Sequence, residues 1–203
     1  HDLVGDECRA VREAAGIMDI SAFTKVELSG PEAETLLDRL VANRLPRKTG
    51  GIALAHMLNA AGRIELETTV VRLASDRFYL VCAAFFEHRH RGAADVTVTL
   101  RSNDWAALTL NGPRSRDILA ACTDAPLDNA AFPWLTAQEI TVAGHSLWAF
   151  RMSYAGELGW EFHMPRDAAL AVYDALWAAG APLGLADYGS FAMNAMRMEK
   201  GFK

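Results

Sequence analysis

Hydrophobic and polar positions alternate along many short stretches of the chain. This spacing is typical of strands with one buried face and predicts strands at 23–29, 52–58, 64–73, 77–83, 95–101, 105–111, 137–143, 146–154 and 159–164. Helical spacing predicts helices at 6–15, 31–42, 113–122, 167–179 and 187–199, with Gly180 as the C-cap of the fourth. Because the helices stand between groups of strands, the pattern favours an antiparallel α+β fold over a parallel doubly wound sheet.

Two stretches of the chain repeat one pattern. "VELSGPEAETLL" (26–37) and "LTLNGPRSRDIL" (108–119) align without a gap. Each predicts a strand, a Gly-Pro turn and a helix with proline at its first position. Strand–turn–helix units are common enough to match by chance, but agreement over the whole stretch favours duplication. The chain is therefore expected to contain two related halves, roughly 1–104 and 105–203.

The stretch "RMSYAGELGWEF" (151–162) predicts two strands joined by a tight turn. It places Glu157 and Glu161 among the most apolar and aromatic residues of the chain, including Trp160 and Phe162. A carboxylate in such surroundings needs hydrogen-bond donors, because an unpaired buried charge is costly. The pattern alone does not say which donors these are.

Composition excludes several classes of protein. The chain has 203 residues, 51% hydrophobic and 22% charged, which is typical of a globular protein with one substantial or two small domains. A net charge of −5 without a Lys/Arg run argues against nucleic-acid binding. Three scattered cysteines without CxxC spacing fit a reducing compartment. The apolar stretch 168–186 is interrupted by Asp174, Gly180 and Pro182, so it predicts a core helix and a loop, not a membrane span.

Familiar nucleotide and nucleophile motifs are missing from the sequence, which also opens without a secretory signal. His88 and His90 lie two positions apart and could share one side of a strand. Without a further ligand nearby, a solvated charged loop is the favoured interpretation, and no metal site is predicted.

The stretch "MLNAAGRIELETTVVRL" (57–73) predicts a hairpin. In its second strand, Ile64 and Leu66 share one face and Glu65 and Glu67 the other. On this pattern alone, the two glutamates form a solvated sheet face.

Five stretches occur in a characteristic order: "TKVELSGPEAETLLDRL", "MLNAAGRIELETTVVRL", "LNGPRSRDIL", "RMSYAGELGWEF" and "GSFAMNAMRMEKGF". Together they resemble the folate-binding domain shared by glycine-cleavage aminomethyltransferases and by dimethylglycine and sarcosine dehydrogenases. The resemblance covers roughly residues 10–203. It implies an α+β fold of two related, interwoven halves, each an antiparallel sheet with helices, in agreement with the duplication.

The resemblance also implies roles for individual residues. Glu161 matches the carboxylate that binds the pterin ring of tetrahydrofolate, and Tyr154 matches a tyrosine lining the same pocket. Glu157 is expected to face outward at the turn. Arg197 matches an arginine near the folate site and could serve the anionic tail, although a structural salt bridge on the last helix is an equal alternative.

Glu67 matches an acidic residue, usually aspartate, beside the reactive nitrogens of the folate. There it could handle a proton or stabilise a cationic iminium, but it is one methylene longer than the usual residue. The expected lining of the pocket is Met57, Leu58, Val81 and Cys82, although an asparagine of the glycine-cleavage relatives falls near Cys82.

Trp160, Arg63 and the ending "AMNAMRMEKGF" resemble the dehydrogenase branch. That branch implies capture of an iminium or formaldehyde equivalent from an N-methyl amine, giving 5,10-methylenetetrahydrofolate. It also implies FAD in a separate flavin domain of the same full-length protein; that domain and the family's C-terminal β-rich domain are absent from this chain. A glycine-cleavage aminomethyltransferase, a folate-dependent demethylase and a non-catalytic folate-binding or regulatory module remain alternatives. The expected location is the cytoplasm, or the mitochondrial matrix in a eukaryote, with small-molecule partners and neither nucleic acid nor membrane.

Overall fold

A computed structural model describes residues 2–82 and 95–202 of the chain. These residues form two compact units. One, called the split unit, joins His1–Ile20 to Ala106–Lys203, and the other, called the inserted unit, is Ser21–Trp105. Among the described residues, no helix combines the length and the apolar character that crossing a membrane requires.

The helices and strands follow one another in a mixed order. In chain order they are α1 (Asp2–Glu13), β1 (Ala15–Asp19), β2 (Thr24–Ser29), α2 (Ala33–Leu40), β3 (Ile52–Leu58), β4 (Ile64–Ala74), β5 (Arg77–Cys82), β6 (Thr97–Leu100), β7 (Trp105–Asn111), α3 (Ser115–Ala120), β8 (Ala137–Val142), β9 (His145–Phe150), β10 (Gly159–Pro165), α4 (Ala169–Gly180), β11 (Leu185–Asp187) and α5 (Ser190–Glu199). Short 3₁₀ turns flank α4. The predicted α+β fold class is confirmed.

The split unit is built on a six-stranded sheet with the order β11-β1-β7-β10-β9-β8. Strand β1 is parallel to β11, whereas the pairs β1–β7, β10–β9 and β9–β8 are antiparallel. Helices α3 and α4 cover one face, where Leu110 and Phe162 of the strands share a buried core with Ile118 and Leu176. The intervening strand residues therefore point to the opposite face.

Helices α1 and α5 lie on that opposite face, at the end of the sheet that contains β1. Gly16 of β1 makes room for them: a Cβ atom built on it would lie 2.4 Å from Val11 of α1 and 2.6 Å from Tyr188. Val11 and Tyr188 belong, with Met196 of α5, to a second and smaller buried cluster. We call this side of the sheet the α1–α5 face.

The inserted unit contains a five-stranded sheet with the order β3-β4-β5-β2-β6. Every neighbouring pair in it is antiparallel. Helix α2 covers one face, where Leu36 and Leu37 pack against Val26, Leu28 and Leu80. This unit therefore has a buried core of its own.

The two Gly-Pro turns of the sequence repeat share one conformation. Gly30 and Gly112 have φ angles of 126° and 124°. The carbonyl oxygen of each accepts a hydrogen bond of 3.0 Å from the amide three residues later, that of Ala33 or Ser115. The duplication predicted from the sequence thus corresponds to a repeated strand–turn–helix in the two units.

Five strands of one sheet have the same order as the five strands of the other, but β1 and β6 are exchanged between the two sheets. The orders β1-β7-β10-β9-β8 and β6-β2-β5-β4-β3 are equivalent. Strand β1 leads directly into β2 but pairs with β7, whereas β6 leads directly into β7 but pairs with β2. The halves are interwoven in this sense, and the stretch up to Ile20 packs with the later half of the chain.

Several element boundaries differ from the sequence pattern. Strands β1 and β11, of five and three residues, were missed because such short stretches carry little periodicity. Helix α4 continues into a 3₁₀ turn, so the left-handed glycine that ends it is Gly184 and not Gly180. Pro31 and Pro113 lie in the turns that precede α2 and α3.

The strand predicted at 146–154 ends at Phe150. Residues 151–158 form an irregular connection instead of a tight turn. Arg151 begins this connection, and its buried guanidinium donates hydrogen bonds to the carbonyl of Phe132 and the side chain of Asn129. These bonds hold the start of the connection against residues 129 and 132.

Candidate functional site

Glu161 lies in the middle of β10, on the α1–α5 face of the six-stranded sheet. Its side chain is 12% exposed, and its Oε2 lies 3.4 Å from Nε2 of His163, which is fully buried. Among the described residues, no lysine or arginine forms an ion pair with this carboxylate. Since a buried charge is costly without donors, Glu161 retains the capacity to accept hydrogen bonds from a ligand.

The aromatic residues around Glu161 differ from the prediction. Trp160 and Phe162 belong to the core under α3 and α4, because neighbouring residues of a strand point to opposite faces. The ring next to the carboxylate is that of Phe150, which is opposite Glu161 in the register of β9 and β10. Phe150 stacks on His163 with ring centroids 4.3 Å apart. The carboxylate therefore lies beside a stacked histidine–phenylalanine pair.

A buried polar network lies on the same face as Glu161. The Nδ2 group of Asn111 donates to the hydroxyl of Tyr188 at 2.6 Å and to the hydroxyl of Thr109 at 2.8 Å. Burial raises the pKa of Tyr188, and the charge of Glu161 also raises it, against the opposing hydrogen bonds of Asn111 and Thr109. Tyr188 is therefore a neutral hydroxyl within electrostatic reach of Glu161.

Tyr154 and Arg197 lie together at the edge of the cluster formed by α1 and α5. The guanidinium carbon of Arg197 is 5.6 Å from the centre of the Tyr154 ring, which stacks on Phe202 at 6.5 Å. Arg197 donates to the side chain of Asn194 and to the carbonyl of Phe202, each at 2.9 Å. Both acceptors are neutral, and no carboxylate among the described residues pairs with Arg197.

Glu157 has a different environment from Glu161. It lies in the irregular connection, with its side chain 23% exposed, and its Oε1 is 3.3 Å from the ammonium of Lys200. Glu157 is thus partly exposed, and its charge is balanced by a lysine. The two carboxylates of this stretch differ in the cation available to each.

Glu67 lies on β4 of the inserted unit, directly opposite His56 of β3. Its Oε2 is 3.0 Å from Nε2 of the imidazole, and the two side chains are 38% and 32% exposed. Both residues are on the face of the sheet that points away from α2. Glu67 is thus a half-buried carboxylate held by one histidine.

The four residues predicted to line a pocket do not share one surface. Met57 and Cys82 are almost completely buried in the core beneath α2. Val81 points to the opposite face, the one that carries Glu67. Leu58 is half-buried at a β-bulge next to the turn. Met57 and Cys82 are therefore on the opposite face from Glu67, whereas Val81 is on the same face.

Sequence reasoning did not single out His56, His163 or Tyr188. The signal for His163 was present, because a residue two positions from Glu161 on a strand shares its face. Among the described residues, no group of three or more histidines, cysteines and carboxylates is arranged to hold a metal. The pair His88 and His90 lies outside the described residues.

The described residues thus form two related α+β units, and each unit holds a carboxylate beside a histidine. The chain matches the family model described as the GCVT N-terminal domain over residues 1–203, and it belongs to that family. It is 37% identical over 225 residues to mitochondrial sarcosine dehydrogenase of Mus musculus, covering 100% of this chain and 24% of that protein. It is 33% identical over 209 residues to mitochondrial dimethylglycine dehydrogenase of Homo sapiens, covering 98% of this chain and 24% of that protein.

A solved structure has the same fold. It is the glycine cleavage system aminomethyltransferase T from Bartonella henselae, with a TM-score of 0.84 and 27% identity, covering 98% of this chain and 55% of that chain. The resemblance predicted from the motifs, including the dehydrogenase branch, is confirmed. The chain spans about a quarter of the length of these two dehydrogenases.

Proposed function

We propose that the protein binds tetrahydrofolate and transfers to it a one-carbon unit at the oxidation level of formaldehyde. The unit is the iminium carbon that two-electron oxidation of an N-methyl amine such as dimethylglycine or sarcosine would produce, with FAD as the electron acceptor. The products are 5,10-methylenetetrahydrofolate and the demethylated amine. The names of the two dehydrogenase relatives support this choice of amine. We place FAD in a separate domain of the full-length protein, and the protein itself in the cytoplasm or, as those mitochondrial relatives favour, in the mitochondrial matrix.

The observation that carries the proposal is the environment of Glu161. A pterin presents a ring N–H and an exocyclic NH₂ side by side, and one carboxylate can accept both in a bidentate pair. Glu161 is 12% exposed, and in the described structure its polar partner is a histidine at 3.4 Å. A donor pair from the ligand would supply the hydrogen bonds that water gives an exposed carboxylate.

Tyr154 and Arg197 fit the remaining parts of a folate. Tyr154 lies beside the guanidinium of Arg197, so one ligand could contact both side chains. The hydrogen bonds of Arg197 go to neutral acceptors, so its charge is available to an anionic tail. In a chain of net charge −5, such a local cation is what a polyanionic tail requires.

Glu67 is the group that we assign to the chemistry. Its carboxylate could stabilise a cationic iminium before the carbon–nitrogen bond forms, and accept the proton that then leaves the attacking nitrogen. The same carboxylate would return that proton to the departing amine, and would then accept the proton released by the second folate nitrogen when it closes the ring to 5,10-methylenetetrahydrofolate. The half-exposed position of Glu67 allows both contacts.

The first test is a calorimetric titration of the protein with tetrahydrofolate under argon. In Glu161→Gln the charge-assisted pair is lost, so we expect binding to weaken by about 1.5–3 kcal/mol, or about ten- to a hundredfold. Glu157→Gln is the matched control, because that residue is in the same stretch and pairs with Lys200. We expect it to leave the affinity unchanged.

The outcomes separate the alternatives. A folded protein that does not bind tetrahydrofolate contradicts the proposal. Binding without formation of 5,10-methylenetetrahydrofolate from dimethylglycine or sarcosine, with the full-length protein, would indicate a non-catalytic folate-binding module. Formation of this product only from an aminomethyl donor of the glycine-cleavage type would indicate an aminomethyltransferase instead.

A further inference from the structure

In the inserted unit, the side chains of His56 and Glu67 contact each other across two neighbouring strands. The two residues are directly opposite each other across β3 and β4, and Nε2 lies 3.0 Å from Oε2. An ionised carboxylate only accepts hydrogen bonds, so the imidazole is the donor through its Nε2–H. The oxygen of Glu67 that the ring engages is Oε2.

The backbone of His56 is held from the outer edge of the sheet. Strand β3 is an edge strand. The amide of His56 donates to the side chain of Asn43 at 2.8 Å, and its carbonyl accepts from the amide of Ala42 at 2.8 Å. The imidazole therefore extends from a strand position fixed on both sides.

Stability alone does not account for the pair. Its side chains are 32% and 38% exposed, and ion pairs with this much water access contribute little to folding. A functional carboxylate, by contrast, gains from a donor that restricts its rotation, since reactive groups must be held in a narrow range of positions. A glutamate needs this more than an aspartate, because it has one more rotatable bond.

We propose that His56 is the positioning residue for Glu67. Its Nε2–H holds Oε2 and leaves Oε1 available to a substrate, which explains how the longer acidic side chain can be used at this position. The assignment rests on the proposed function of Glu67. It goes beyond that function by naming a residue that acts through Glu67 without itself touching the substrate.

The test compares three variants of the full-length protein: His56→Gln, whose amide can still donate to Glu67, His56→Leu, which cannot, and His145→Gln. His145 is the control, because it is an exposed histidine at the start of β9 in the split unit. We measure the calorimetric affinity for tetrahydrofolate, and kcat and KM for one-carbon transfer from dimethylglycine or sarcosine.

For His56→Leu we expect kcat to fall about tenfold, with the tetrahydrofolate affinity and KM unchanged, because only the placement of Glu67 is lost. His56→Gln should recover most of kcat, and His145→Gln should match the parent. Equal kcat in His56→Leu and the parent would overturn the proposal. So would an equal loss in His56→Gln and His56→Leu, since the donor would then be irrelevant.

An independent readout uses the ¹⁵N chemical shifts of the histidine rings. We expect His56 to be held as the Nε2–H tautomer in the parent, and to become a mixture of tautomers in Glu67→Ala. An unchanged ring signal contradicts the pairing. This measurement does not depend on folate, so a protein that shows the pair but binds no tetrahydrofolate would disprove the proposed function and leave the contact established.

Discussion

The carboxylate of Glu27 on β2 is held by two arginines in the inserted unit. Its Oε1 accepts from Nε of Arg77 at 2.7 Å, and its Oε2 accepts from Nε of Arg101 at 3.2 Å. Burial raises the pKa of Glu27, but the hydrogen bonds and charges of both arginines outweigh burial and lower it below 4.5. The folded state therefore favours the ionised form.

A lowered pKa in the folded state has a defined consequence for stability. The contribution of Glu27 is fully present above the unfolded pKa and is lost as the pH falls through the lower, folded value. We expect Glu27→Gln to lower the free energy of unfolding by about 1–2 kcal/mol at pH 7, and by progressively less below pH 4.5. Urea unfolding at several pH values measures this, and a difference that stays constant down to acid pH would contradict it.

The contrast between Glu157 and Glu161 is equally local. Both lie in one apolar stretch, yet Lys200 pairs with Glu157, and a buried histidine lies beside Glu161. Sequence pattern gave the same surroundings to both. Lys200, the partner of Glu157, directly follows α5, whereas His163, the partner of Glu161, lies on β10 itself. Only the folded chain therefore distinguishes the two carboxylates.

At the scale of elements, the two Gly-Pro turns are points of close backbone approach. A Cβ atom on Gly30 would lie 2.2 Å from the carbonyl oxygen of Asp95, and one on Gly112 would lie 2.5 Å from that of Val11. Both φ angles also disfavour residues with a side chain. Both copies of the repeat therefore require glycine at this position, because a side chain would clash with the backbone.

We expect Gly30→Ala and Gly112→Ala each to destabilise the protein by about 2–5 kcal/mol, because strain at φ adds to a clash with backbone. Gly62→Ala is the control, since Gly62 has a φ of 76° but no atom within 4 Å of its Cβ position. It should cost about 1 kcal/mol. Thermal or urea unfolding measures all three, and similar losses at the three glycines would show that the close approach is unimportant.

The β3–β4 hairpin shows how one element decides which residues meet. A regular ladder from the turn, where the amide of Asn59 bonds to the carbonyl of Arg63, would place His56 opposite Leu66. A register shift between Met57 and Leu58 instead places His56 opposite Glu67. The sequence assigned Glu67 to the correct face, but it did not predict the bulge that provides its partner.

At the scale of the whole molecule, the exchange of β1 and β6 makes the split unit depend on a distant segment. Strand β1 lies between β11 and β7, so without it the six-stranded sheet would lose an internal strand. Gly16 of the same strand also provides the space for Val11 and Tyr188. The stretch up to Ile20 is therefore an internal part of this unit.

We expect a fragment of residues 106–203 not to fold alone, because an internal strand of its sheet and helix α1 would be missing. Adding a peptide of residues 1–20 should restore cooperative unfolding, measured by circular dichroism. A peptide with Gly16→Val is the control, since its side chain would clash with Val11 and Tyr188. Cooperative folding of the fragment without the peptide would contradict the importance of the exchange.

The sequence by itself determined the fold class, the duplication and the family. Periodicity and the repeated Gly-Pro pairs are local features of the sequence, and they correspond to strands, helices and turns in the structure. The order of the motifs indicates the family. The roles of Glu67, Tyr154, Glu161 and Arg197 came from the family resemblance, and they stay predictions.

The tertiary structure alone decided the partners of those residues. Trp160 and Phe162 were expected around Glu161 but lie on the other face, and Met57 and Cys82 are in a core away from Glu67. Pairing across strands depends on register, on bulges and on which segment completes a sheet. These are set by the packing of distant parts of the chain, so no short stretch of sequence contains them.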